Sequence, residues 1–357
     1  MVLAKTQVAI VKSKNYAQGT KDLFSILNTQ SRLKEAKRVL VKINLVRKPH
    51  NLDIPLTKAT PGRPLPYKWH GNKGLAYSET VAKDGDITRI EHVEALITRL
   101  QDFGVDDITI CEGSCGWDTD LAYESLGFYD LGKKYGVKVV DTNWAETTVI
   151  PVLKGKMLKD FWLAKEYVKA DFRINLTTLK VHGSTCVSLC LKNWAIGLPS
   201  AIRYGINRTG QRIRGKGDSF PIHQHYDREE IYGQGVGIAH TITDVNSAIP
   251  YELGIIDGMT TVHYGSLLNL KQRQEIRRNL PVFKTNLLFA SYDRVAIDAV
   301  ASKVMGLNPT KIYHIYLCAE RRCGTIDLDR IDVLGEKIKE VEMKCYPQLK
   351  QKAVMTP

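Results

Sequence analysis

The sequence predicts an α/β protein: a mostly parallel sheet flanked by helices, built as two closely joined lobes. Three observations carry this. Short β-branched runs alternate with helix-patterned segments along most of the chain, the rhythm of strands and crossovers in a parallel sheet. Those runs are apolar and end at Gly, Asp, Asn or Lys, as in strands covered on both faces. A chain of 357 residues, 43% hydrophobic and 25% charged, is also long and apolar enough for a large core.

In chain order, the strand candidates are 8–13 (VAIVKS), 38–46 (RVLVKINLV), 107–113 (DITICEG), 137–142 (VKVVDT), 171–178 (DFRINLTT), 253–258 (LGIIDG) and 285–291 (TNLLFAS). The clearest helix is 89–103, RIEHVEALITRLQDF. Thr88 and Glu91 form an S/T-x-x-E capping signature before it, and Gly104 stands at the expected C-cap. A second helix, 294–305, follows Asp293 as N-cap and ends at Gly306, before Asn308-Pro309. A third is expected at 185–196, directly after the strand at 171–178. No linker marks an internal boundary; residues 1–335 read as one α/β domain and 336–357 as a C-terminal tail.

Two segments break the rhythm. Residues 47–86 hold five prolines and many basic residues, and residues 198–237 hold Arg203, Arg208, Arg212, Arg214 and Lys216 among several glycines. Loops of this length inside a domain are usually functional or disordered, and their composition suits lids that bind anions. The formal charge of +13 likewise implies acidic partners, whether small anions or nucleic acid.

Seven cysteines, an odd number, do not suggest a disulfide framework, and MVLAKTQVAIVKS lacks a long apolar stretch before a cleavage site. No span is apolar enough for a transmembrane helix. The expectation is a soluble cytoplasmic protein without a membrane partner.

Residues 175–199, NLTTLKVHGSTCVSLCLKNWAIGLP, place two lysines, a histidine and an asparagine at the ends of a buried element. In open α/β sheets, ligands sit beyond the carboxyl ends of the strands. A strand at 171–178 and a helix from 185 would set Lys180, His182, Ser184 and Thr185 in that crevice, at a helix N-terminus that favours a phosphate or carboxylate. Lys192 and Asn193 lie along the helix, facing the same cavity or a neighbouring loop.

The segment 174–199, in which a strand leads into a lysine, a histidine, a helix with a Lys-Asn pair and a Gly-x-Pro exit, resembles the signature of the domain of unknown function 362 family. Segments 39–46, 87–114, 242–259 and 287–324 resemble the same family in the same order. The resemblance implies site roles for Lys42, Asn44, Lys180, His182, Lys192, Asn193, a basic-lid histidine matched by His223 or His225, and Asp257. Asp293 fits a cap, and Asp298 fits a pairing role. Many family members carry an added ferredoxin-like module with C-x₂-C-x₂-C-x₃-C-P runs; this chain has no such run, so an iron–sulfur label is not inherited. Cys111, Cys115, Cys186 and Cys190 form two C-x₃-C pairs that fit no common zinc or iron–sulfur signature, and they read mainly as packing residues or as a tentative metal set. Cys318 and Cys323 read as helix residues.

Dinucleotide, P-loop and nucleophile-elbow motifs are missing from the sequence. The favoured function is an enzyme acting on a small anionic metabolite. In this reading Lys180, His182 and Asp257 carry acid/base chemistry, and Lys42, Asn44, Lys192, Asn193, Arg203, His223 and His225 bind the substrate. Lysine and histidine suit such roles because burial and neighbours move their pKa values readily. The alternatives are a nucleic-acid-binding or scaffold protein that uses the basic loops, and a metal- or iron–sulfur-dependent redox protein. The sequence assigns no reaction, cofactor or oligomeric state.

Overall fold

The computed structural model describes residues 5–45, 85–114, 119–182, 184–204, 230–231, 234–262 and 282–343. Their strands are β1 (Thr6–Lys12), β2 (Arg38–Lys42), β3 (Asp107–Glu112), β4 (Lys138–Asp141), β5 (Thr147–Pro151), β6 (Asp160–Ala164), β7 (Phe172–His182), β8 (Cys186–Val187), β9 (Glu230–Ile231), β10 (Gln234–Gly235), β11 (Leu253–Val262), β12 (Val282–Ser291) and β13 (Ile331–Gly335). The helices up to residue 248 are α1 (Tyr16–Ile26), α2 (Thr29–Leu33), α3 (Ile90–Asp102), α4 (Thr119–Ser125), α5 (Phe128–Tyr135), α6 (Lys165–Lys169), α7 (Cys190–Gly197), α8 (Ala201–Tyr204) and α9 (Val236–Ala248); helices Arg294–Val304, Tyr313–Glu320 and Ile338–Val341 follow.

The main sheet has the order β13-β1-β12-β11-β7-β2-β3-β4, with β8 attached to β7. From β11 to β4 the neighbours are all parallel. β12 runs antiparallel to both β1 and β11, and β13 is parallel to β1. The fold is therefore the expected α/β class, with a mostly parallel sheet.

Each face of the sheet buries its own apolar layer. On one, Leu23 and Phe24 of α1 and Val93, Leu96 and Leu100 of α3 pack with Val41, Ile174, Leu176 and Ile255. On the other, Leu191 and Trp194 of α7, Ile242 of α9, and Ile297 and Val300 of helix Arg294–Val304 pack with Leu40, Leu179, Val181 and Ile256. Because successive residues of a strand point to opposite faces, parity decides which layer a side chain joins.

The local readings are partly corrected. Asp293 caps as expected, its carboxylate accepting from the Val295 and Ala296 N–H groups. Gly104 adopts φ +82° past the end of α3, the left-handed conformation that suits glycine. The capping signature before α3 does not operate: Arg89 is the N-cap and makes no side-chain cap bond. The Thr88 hydroxyl instead accepts from the Asn44 N–H at 2.9 Å.

The largest correction concerns 171–196. β7 continues to His182, Val181 and His182 pair with Val187 and Cys186 of β8, and α7 begins only at Cys190. The alternation Leu179, Lys180, Val181, His182 keeps the period of a strand, and that period overrides the polarity of the lysine and histidine. None of the described helices is long and apolar enough to cross a membrane.

Candidate functional site

The prolonged β7 sorts the polar motif onto two faces. Lys42 pairs in register with Asn175, so the odd-numbered residues of β7 share its face. Asp257 pairs with Thr178, which puts Asp257, Thr178 and Lys180 together on the opposite face. Lys180 and Lys42 both stand toward the carboxyl ends of their strands, but with the sheet between them.

On the α1/α3 face the acid and base candidates converge. Asp257 Oδ2 lies 3.2 Å from His92 Nδ1, and its Oδ1 accepts from the Met259 N–H at 3.0 Å. The Tyr16 ring stacks on His92 with centroids 4.7 Å apart. Burial, then the nearby Asp257 carboxylate, raises the Tyr16 pKa, so this phenol stays protonated. Lys180 donates to the Asp86 carbonyl, which also accepts from the Thr178 hydroxyl at 3.4 Å. His92, Asp257 and Lys180 are 0%, 3% and 5% exposed. His92 Nε2 is buried and has no hydrogen-bond partner among the described residues.

Two backbone features shape this end. After Asp257 the register between β7 and β11 slips, and Val262 is the next residue of β11 to pair with β7, opposite Lys180. Such irregularities re-aim side chains where strand pairing ends. At Gly85, φ is +91° and a Cβ would come within 2.6 Å of the Thr260 carbonyl oxygen, so a glycine is needed for the 85–88 segment to lie against the irregular part of β11.

On the α7 face the polar groups saturate one another. Lys42 Nζ donates to the Ile43 carbonyl, Glu112 Oε1 and Asn193 Oδ1 at 2.8, 3.1 and 3.0 Å. Glu112 also accepts from the Leu45 and Gly113 N–H groups, each at 2.7 Å. Asn193 donates to Asn175, which donates to the Cys190 carbonyl. The N–H groups of Cys190 and Leu191, at the start of α7, donate to the two oxygens of Asp298. The helix N-terminus thus holds an anion from its own chain, and burial raises the Asp298 pKa to about 7 despite those two donors. Gly197 explains the Gly-x-Pro exit: a Cβ there would stand 2.5 Å from Lys42 Nζ.

The remaining expected residues disperse. His182 lies on the Lys180 face, but its Nδ1 accepts from the Ser184 N–H and stands 3.1 Å from the Thr185 hydroxyl, within the β7–β8 turn. Asn44 is buried, and its side chain reaches Thr177 at 3.5 Å. Lys192 is half-buried with its charge beside His314, whose pKa falls to about 3 through burial first and that charge second. Arg203 is exposed, stacks on Trp162 at 3.9 Å and reaches Thr147. His223, His225 and Cys115 lie outside the described residues, as do most of both long basic segments.

Cys111 and Cys190 are fully buried, and burial raises both thiols; the Cys190 thiol donates to the Asn175 and Ile255 carbonyls, each at 3.9 Å. Among the described residues no three potential ligands converge on a metal position. The residue that sequence reasoning missed is His92. The available signal was its place four residues before Leu96, on the buried stripe of α3.

Fold and site together define an α/β protein with a buried acid–base cluster at the carboxyl edge of a parallel block. The family described as "Domain of unknown function (DUF362)" matches residues 77–303, and the chain belongs to that family. Among solved structures, the lactate racemase apoprotein from Thermoanaerobacterium thermosaccharolyticum is similar at 11% identity and a TM-score of 0.42, over 85% of this chain and 57% of that one. The chain thus spans little more than half the length of that protein. No curated protein matches the sequence.

Proposed function

We propose that this protein is an enzyme that binds a small carboxylate or phosphate metabolite at the carboxyl edge of β7 and β11. Lys180 holds the anion, and Asp257 with His92 exchanges a proton with it. The observation that carries this reading is the convergence of Lys180, Asp257 and His92 on one face, with His92 Nε2 buried and unpartnered. A native buried nitrogen without a partner is uncommon, and a ligand group that completes its hydrogen bonding accounts for it. The Asp257 contact at Nδ1 orients the ring, the arrangement in which an imidazole transfers protons through its other nitrogen. Of the expected substrate-binding set, Lys42 and Asn193 take a structural role, since their hydrogen bonds already go to one another and to Glu112 and Asn175.

The test is thermal unfolding against inorganic phosphate, phosphate monoesters, and mono- and dicarboxylates. Binding to the folded state raises the unfolding temperature with ligand concentration. At least one of these anions should stabilise the wild type, and the shift should vanish in Lys180→Met. If the shift survives both Lys180→Met and Asp257→Asn, the site is wrong. If none of the anions binds while a nucleic acid does, and that affinity is lost in Arg208→Ala/Arg212→Ala/Arg214→Ala but kept in Lys180→Met, the basic-loop reading replaces this one.

A further inference from the structure

Helix Tyr313–Glu320 ends in a way that brings two cysteines together. The Cys323 N–H donates to the Cys318 carbonyl and the Arg322 N–H to the Ala319 carbonyl, both at 2.9 Å. Arg322 is left-handed, with φ 58°. These features are the Schellman arrangement, in which the side chain two residues past the cap touches the one in the last turn of the helix. That contact is usually between two apolar groups; here both positions are cysteine, and Cys323 lies beyond the helix that the sequence suggested for it.

The loop is fixed from behind. The Thr325 N–H donates to Asp293 Oδ2 at 3.0 Å, and a Cβ at Gly324 would meet Asp293 Oδ1 at 1.9 Å. The loop therefore docks on the N-cap of helix Arg294–Val304, which holds Cys323 in place. The Cys318 thiol donates to the Thr243 hydroxyl at 3.6 Å. The direct backbone bond between the two residues keeps their Cα atoms within the span of a disulfide, roughly 4.4–6.8 Å. Cys318 is fully buried, whereas Cys323 retains 7% exposure.

We propose that Cys318 and Cys323 are a redox site, a dithiol that forms a reversible disulfide by exchange with a small-molecule disulfide. The Cys323 thiolate attacks one sulfur of the small disulfide, forming a mixed disulfide and expelling one small thiolate. Cys318 then loses its proton and attacks the Cys323 sulfur, closing the protein disulfide and expelling the second small thiolate. Both leaving groups end as thiols with the two protons from the cysteines; two electrons pass to the small disulfide. Cys323 attacks first because it is the more exposed and the better ionised: the neighbouring Cys318 thiol, then Arg294 and Arg321, lower its pKa against the cost of burial. Burial raises that of Cys318, as suits a resolving thiol.

The test uses the folded chain with excess glutathione disulfide, followed by blocking of free thiols and trypsin digestion without reductant. Trypsin cuts after Arg321 and Arg322, so a Cys318–Cys323 bond links peptide 312–321 to peptide 323–330. The linked pair should appear two hydrogens lighter than the sum of its parts and disappear on reduction. Cys318→Ala should accumulate glutathione on Cys323, and Cys323→Ala should leave Cys318 unmodified. Unlinked peptides in the wild type, whether Cys323 stays free or keeps a stable glutathione adduct, overturn the proposal. That wild-type result decides the matter even if a variant fails to fold.

Discussion

The two faces of the carboxyl edge hold similar polar residues in opposite states of completion. On the α7 face Lys42 meets three acceptors, Glu112 accepts from Lys42 and two backbone N–H groups, and Asn193 links both to Asn175. On the α1/α3 face Asp257 and His92 touch each other, yet His92 Nε2 is left over. A saturated buried network specifies structure, because each member is costly to remove and nothing remains to offer a ligand. An incomplete one has capacity to spare. Charge and burial alone do not separate the two, since Lys42 and Lys180 are both buried lysines on adjacent strands.

The largest effect that can break this contrast is on stability. Lys42→Ala would strand the Glu112 carboxylate at a side-chain exposure of 3%. Losing one partner of a buried ion pair costs about 3–5 kcal/mol. Lys180→Ala loses the hydrogen bond to the Asp86 carbonyl, a contact worth about 1–2 kcal/mol. Urea unfolding of the two variants measures the difference, and Lys42→Met with Glu112→Leu should recover most of the first loss. Equal costs for Lys42→Ala and Lys180→Ala would mean that both lysines are structural.

A second, smaller effect concerns pH. Asp298 titrates near 7 in the folded protein against an ordinary 3.8. The folded state therefore binds this proton more tightly than the unfolded chain does. Its contribution to stability is greatest below about pH 4, declines as pH rises towards 7 and is constant above that. At about 1.4 kcal/mol per unit, the decline amounts to a few kcal/mol. Unfolding free energies of wild type and Asp298→Asn between pH 4 and 8 should differ in slope over that interval, with the asparagine variant lacking this decline. Parallel curves would show that the Cys190 and Leu191 N–H groups fully compensate the buried charge.

Much of the frame was legible in the sequence, because β-branched runs and the 3.6-residue stripe of α3 record burial directly. The Asp293 cap was legible for the same reason, as it is a local interaction. What escaped was long-range or depended on register. In the sequence Lys180 and His182 read as loop residues, because charged side chains are rare in a central strand; the expected strand ends at Thr178, and the parity that separates Lys180 from Lys42 stays hidden. The local pattern points the Thr88 hydroxyl at the helix that follows it, while its partner lies 44 residues upstream. The short strand β5, only partly buried, and the edge strand β13, which buries Ile331 alone, carry too weak an alternation to be read.

The smallest expected effect tests His92 itself, which sits beneath Tyr16 and beside Asp257 with one nitrogen free. An imidazole that only fills space has no reason to respond to a small anion. One that waits for a ligand must change the shielding of its Nε2 when a hydrogen bond forms there, even if the overall structure does not move. In protein labelled with ¹⁵N-histidine, the His92 Nε2 resonance should shift when a stabilising carboxylate or phosphate is added, while Nδ1, already held by Asp257, shifts less. The response should be lost in Lys180→Met, because the anion is no longer retained, and His92→Gln should identify the signal. An Nε2 resonance that ignores a bound anion would leave His92 as a core residue and return the α1/α3 face to the same structural standing as its opposite.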